Sequence, residues 1–193
     1  HDGDIRMAVT GASATLAAGP VSVAATSAQM GLVLSAAGRV LYAKGTFTVT
    51  APELSASGQI EVRQNTTPTD FTAGSIAASG VTVSAIPTIA GGETAFAGTG
   101  LSVVVAGFVT LSGDFGFAKH ALGNVETSAN HASAILTVGS FRVGVENGQL
   151  ALLLKTDGSK TFEATGAIVF DLSGFTLNTS GLSPPVVTVK FNS

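Results

Sequence analysis

The chain has 193 residues and a net charge of −3, with only 11% of its residues charged, against about 25% in an ordinary soluble domain. Apolar residues make up 45%, and there are 24 glycines. With many Ser and Thr as well, the surface is covered by hydroxyls and backbone rather than charge, which excludes charged disorder. Nine Lys and Arg, scattered singly, leave no electrostatic footprint for nucleic acid, and the absence of Cys excludes disulfides, thiolate metal sites and Cys catalysis.

Taken from its start, His1-Asp2-Gly3-Asp4, the chain has neither an initiator Met nor a signal peptide and reads as a piece of something longer. Two stretches, Met7 to Gly38 and Thr94 to Gly113, carry no charge. They are too rich in Gly, Ser and Thr, and the first has Pro20, to be spanning helices. A transmembrane barrel would need aromatic girdles, yet there is no Trp and a single Tyr, Tyr42. The chain is expected not to span a membrane.

Residues 12–23, "ASATLAAGPVSV", return at 132–143 as "ASAILTVGSFRV". At the same spacing of 120, Gln29, Leu32, Leu34 and Gly38 recur as Gln149, Leu152, Leu154 and Gly158. "AKGTFTV" (43–49) then matches "ATGAIVF" (164–170), and "IEVRQN" (60–65) matches "VTVKFN" (187–192), with "LSPPV" (182–186) as an insertion. This predicts a first β-repeat over 1–120 and a partial second copy over 121–193, continuous with it, as in an array.

The local signals are strands throughout. In the first copy they fall at 21–25, 28–35 and 39–50, with turns at "TS" and "AAG". "QIEVRQ" (59–64) alternates Ile60 and Val62 with Glu61 and Arg63, a half-buried strand. "GLSVVVAGFVTL" (100–111) and "QLALLLK" (149–155) are apolar on both faces and are expected to lie between two layers. In the second copy, Asn147-Gly148 and Asp157-Gly158 are the hairpin cues, giving strands at 141–146, 149–155 and 159–170. The predicted fold is all-β, with antiparallel meander strands in a stacked sandwich or flattened roll repeated in tandem. A β-solenoid is the alternative.

Chemistry-bearing residues are sparse. Of the histidines, His1, His120 and His131, none has a partner pattern for catalysis, and His131 stands where the first copy has Gly11. Asp2, Asp4 or Asp114 could help hold a structural calcium ion, but calcium needs six to eight oxygens and turn chemistry explains these residues. "AGTG" (97–100) lacks the Lys and helix of a phosphate loop. Asn65-Thr66-Thr67 and Asn178-Thr179-Ser180 have the glycosylation acceptor pattern. Phe115 and Phe117 share one face of an extended strand and are expected in the core. No catalytic, cofactor-binding or metal residue is predicted, and no cofactor.

"GQLALLLKTDG" with "ATGAIVF", "SGQIEVRQNTT" and "FAGTGLSVVVAGFVTLSGDFGF" resembles the long β-repeats arrayed in giant bacterial surface or exported adhesin-like proteins. The resemblance implies an extracellular, repetitive β-structure and no particular functional residue. The expected function is a non-enzymatic structural segment (stalk, fibre or adhesin body), self-assembling through strand edges, with itself as partner. The alternative is a module binding carbohydrate or a cell surface.

Overall fold

The computed structural model describes residues 3–107, 109–171 and 186–192. Twelve antiparallel strands and no helix make up the described regular structure. Ten strands form one open sheet in meander order: β1 (Ile5–Ala18), β2 (Val21–Ser35), β3 (Gly38–Ala51), β4 (Leu54–Asn65), β7 (Thr94–Val105), β8 (Val109–Lys119), β9 (Val125–Val138), β10 (Phe141–Leu154), β11 (Lys160–Asp171) and β12 (Val186–Asn192). The remaining two, β5 (Gly74–Ala78) and β6 (Val81–Ile86), form a separate hairpin inserted between β4 and β7. The all-β antiparallel meander expected from the sequence is therefore present. Its neighbours are consecutive and antiparallel, which excludes the β-solenoid, and the sheet does not close into a barrel.

The strands are longer than the sequence cues imply. Asn147-Gly148 is not a hairpin turn: β10 runs straight through it, and the ladder to β11 slips between Glu146 and Gln149. Asn147 has φ +52°, the left-handed conformation that a turn and a bulge both need. Thr26-Ser27 was expected to be a turn in the same way and is likewise a bulge inside β2, with Ser27 at φ +52°. Asp157-Gly158 does reverse the chain. Ser159 N donates to Asp157 Oδ1 at 2.8 Å, and Lys155 N donates to Ser159 O at 3.0 Å.

Such bulges recur in β1, β2, β7, β9 and β10, each of these strands carrying an extra residue near mid-length against a neighbour. An extra residue per bulge bends the strand and raises its twist. The bends fall in one band across the sheet.

Among the described residues, the cluster of buried apolar side chains lies where the hairpin packs on one face of β1–β3. Ile76, Val83, Ile86 and Ile89 meet Val40 and Tyr42 there, with Ala8, Val33 and Phe71 around them. Gly31 makes the close approach possible, since a Cβ at that position would stand 3.0 Å from Ile76 Cδ1. The hairpin touches β1 and β2. No element of the described chain lies over β7, β8 or β10, so the two doubly apolar stretches at 100–111 and 149–155 are not sandwiched as expected.

Asn65 holds the inserted segment in place. It is fully buried. Its Nδ2 donates to Thr69 O and Ile89 O, both at 2.9 Å, and its Oδ1 accepts from Thr67 N at 3.0 Å and Thr67 Oγ1 at 2.7 Å. The backbone N–H of Asn65 donates to Glu93 O at 2.8 Å. One amide thus ties both ends of the 66–93 excursion to the end of β4. Removing it leaves the Thr67 N–H without a partner, a cost of about 1–3 kcal/mol where buried, and takes one of two donors from each carbonyl, Ile89 O keeping Phe71 N at 2.9 Å and Thr69 O keeping Thr67 Oγ1 at 2.9 Å. Asn65→Ala is predicted to destabilise the chain by about 3 kcal/mol, read as a lower urea midpoint; an unchanged midpoint would show that the segment is held by other means.

Candidate functional site

Because side chains alternate along a strand and partners in register share a face, the pairing fixes two chemically opposite sheet faces. One row runs across all ten strands through Val9, Met30, Ala43, Val62, Phe96, Phe117, Thr127, Leu152, Phe162 and Phe191. Beyond the bulges the same face continues as Leu16, Val23, Val49, Ala56, Val103, Leu111, Ala134, Val145 and Ile168. The bulges shift the count by one residue, so both halves of each bulged strand keep their apolar side chains on this side.

The opposite face is polar. A hydroxyl row crosses it through Thr48, Ser57, Ser102, Ser112 and Ser133. Every described carboxylate that belongs to a strand stands here too. Strand cations on the apolar face are confined to Arg39, Lys119 and Lys160, all at strand ends along one margin.

The apolar face is open to solvent. Phe115 and Phe117, expected in the core, do share this face but are 39% and 42% exposed, and Phe96 is 39% exposed. They lack a core because nothing in the described chain lies over them. Phe108 lies outside the described residues.

Two hollows dent the apolar face at the bulges. The first, of about 430 Å³, is lined by Val9, Ala12, Ala25, Ala28, Gln29, Met30 and Ala43, among others. The second, of about 390 Å³, is lined by Ala129, Ala132, Val145, Gly148, Gln149, Leu150 and Ala164, among others. Six of these positions stand 120 residues apart and the seventh pair 121 apart. Sequence reasoning missed the hollows, because the extra bulge residue that opens them was read as a turn.

On the polar face, a trough of about 450 Å³ has a floor of small residues, Ala97, Gly116, Ser128 and Ala151, between Arg63 on one side and Glu126, Thr161 and Glu163 on the other. It reaches the positions equivalent to the hairpin's seat: Ser128, Ala151, Leu153, Thr161 and Glu163 correspond by the repeat spacing to Ala8, Gly31, Val33, Val40 and Tyr42. Each charge at the trough is engaged. Glu163 Oε1 lies 3.0 Å from Lys190 Nζ, Glu126 Oε2 lies 3.3 Å from His120 Nε2, and Arg63 reaches Glu61 at 3.4 Å and Glu93 at 3.7 Å. Glu126 and Glu163 sit two strands and two residues apart, about 12 Å at the backbone.

Of the other residues singled out from sequence, Asp114 on β8 joins the bulges of the two flanking strands, β7 and β9. Its Oδ1 accepts from Gly100 N at 2.7 Å and its Oδ2 lies 3.3 Å from His131 Nδ1. The Gly100 N–H first, and His131 second, hold its carboxyl below the usual carboxylate range. Asp4 is exposed, and among the described residues no three His, Asp or Glu side chains gather as metal ligands. His1, Asp2 and the Asn178-Thr179-Ser180 triplet lie outside the described residues. The other acceptor triplet has no free amide to offer, since Asn65 is buried with its side chain fully bonded. Comparison with protein-family models, curated proteins and solved structures gives no match to this chain.

Where the trough meets the hairpin, Tyr42 is 2% exposed and its hydroxyl donates to Glu61 Oε2 at 3.1 Å. Glu61 also lies 3.6 Å from Lys44 Nζ. Burial first, then the Glu61 carboxylate, push the Tyr42 phenol up to about 12 from its usual 10. A raised folded-state pKa means stability that is complete below pH 10 and is lost as pH climbs through 12. As the only tyrosine, Tyr42 should show tyrosinate absorbance only well above pH 10. A midpoint near 10 in the folded protein would refute its burial against Glu61.

Proposed function

We propose that the chain is a non-enzymatic structural segment of an extracellular repetitive β-protein, a stalk, fibre or adhesin body whose sheet extends from unit to unit through its edge strands. The observation carrying this reading is that positions 120 residues apart in the sequence hold equivalent places in one uninterrupted sheet. Gly11 and His131 have φ +65° and +51°, Gly19 and Gly139 +60° and +61°, and Ser27 and Asn147 both +52°. The strands containing these residues, or flanking them, are β1 and β2 in one block and β9 and β10 in the other, in the same order and orientation.

This equivalence says what belongs beside each sheet edge. β9, the counterpart of β1, is flanked by β8, and β4, the counterpart of β12, is flanked by β7. A further unit would therefore set a β8-like strand along β1 and a β7-like strand along β12, continuing the ladder. Long edges without charge invite such pairing, and β1 has no charged residue from Met7 to its end at Ala18. The engaged carboxylates of the polar trough fit a structural role better than acid–base work.

A surface-binding module remains a second reading because Phe96, Phe115 and Phe117 are exposed. Phe96 and Phe117 lie between Val62 and Thr127, and Phe115 between Gly98 and Ala129; with Thr127 the single polar group among these four, the surroundings favour an apolar partner over a sugar, whose hydroxyls need flanking polar groups.

Light scattering over a concentration series tests the structural reading. The wild-type chain should grow in mass beyond any small closed oligomer. Thr15→Lys with Ala17→Lys, which places two gatekeeper charges on the polar side of edge strand β1, should stop that growth. A wild-type mass that never exceeds a small closed oligomer would contradict it.

A further inference from the structure

Nothing in the described chain lies over the apolar face of the ten-stranded sheet. We propose that this face is a pairing surface for a second copy of this chain, the two sheets stacking face to face. The proposal rests on the structural reading above and adds a lateral partner to its end-to-end one.

Size is the first argument. At about 4.8 Å between strands and about 3.3 Å per residue, ten strands carrying roughly ten rows offer on the order of 1,500 Å² per copy, and the seven strands that overlap in the pairing described below about 1,100 Å². A stable interface needs about 800 Å² per partner. Stacked sheets pack about 10 Å apart with their inner faces interdigitated, and a face this wide and free of interior charge has the chemistry of such an inner face.

Shape is the second. The two hollows are shallow and broadly open, so a small apolar molecule in either would stay largely in water, whereas ligand sites bury most of their ligand. What fits an open dent on a flat face is a side chain carried by another flat face. Phe96 and Phe117 stand side by side on β7 and β8, three strand positions from the centre of the first hollow, at β2–β3. A copy turned over about an axis along the strands, and slid so that its β7–β8 lies over β2–β3, sets these rings over the first hollow. By symmetry it receives the partner's rings in its own. The contact is self-complementary and closed, as a two-fold pair requires. A lipid surface, the other apolar partner of similar extent, presents no fixed knobs to match the hollows.

The test uses the edge-blocked chain, Thr15→Lys/Ala17→Lys, so that end-to-end growth cannot mask pairing. Sedimentation equilibrium should give a dimer. Adding Phe117→Lys should weaken that dimer by at least a hundredfold in dissociation constant, while Ser128→Lys, on the opposite face, should leave it unchanged. Circular dichroism checks that each variant keeps its β signal, and Leu111→Lys on the same face serves if Phe117→Lys does not fold. A monomer at high concentration, a dimer indifferent to Phe117→Lys and Leu111→Lys, or a monomer that floats with anionic phospholipid vesicles would each overturn the proposal. End-to-end growth of the Phe117→Lys chain with intact edges reports separately on the structural reading, which survives if pairing alone fails.

Discussion

The backbone ladder of a sheet one layer thick is the constraint on which this molecule depends. Strand to strand, hydrogen bonds continue without a gap from β1 to β12, and the two-residue alternation then divides every side chain between two faces. A sheet normally hides its apolar face against another layer. Here the described chain supplies such a layer only over β1–β3, where the hairpin makes a small core of isoleucines and valines around Tyr42. The patch it covers belongs to the polar face, where that face carries Ala8, Val33, Val40 and Tyr42.

The two ends of the sheet thus differ in chemistry. At the second block, Glu163 and Thr161 stand where Tyr42 and Val40 stand in the first. An aromatic and an aliphatic anchor have become a carboxylate and a hydroxyl, so the seat of the hairpin becomes a polar trough with Lys190 paired to Glu163. The backbone is conserved between blocks in its bulges, while the chemistry of this patch is not. The apolar face shows the reverse: Ala12, Met30 and Ala43 have Ala132, Leu150 and Ala164 at the corresponding places, and the hollow they line recurs with them.

Much of this was legible in the sequence, and the failures have identifiable causes. Alternation in "QIEVRQ" placed Ile60 and Val62 opposite Glu61 and Arg63, as the ladder has them. Asn147-Gly148 misled because a left-handed residue serves a hairpin turn and a bulge alike, and only strand pairing distinguishes them. Phe115 and Phe117 were correctly put on one face, but burial depends on a second layer, which no local pattern reports. Asn65 carried no signal beyond an acceptor triplet, since its role depends on carbonyls at Thr69 and Ile89, the latter 24 residues away.

The account stands or falls on the sheet being single, open and in the register described. Gln29 and Lys190 lie in one row, eight strand steps apart, about 38 Å if the sheet were flat. The chain has no cysteine, so Gln29→Cys and Lys190→Cys can be spin-labelled directly, and the distance measured by pulsed electron resonance in an excess of unlabelled chain. An open, curved sheet predicts roughly 25–38 Å. A distance under about 15 Å would mean that β12 closes back towards β1, and would contradict the two-faced open sheet from which everything else is derived.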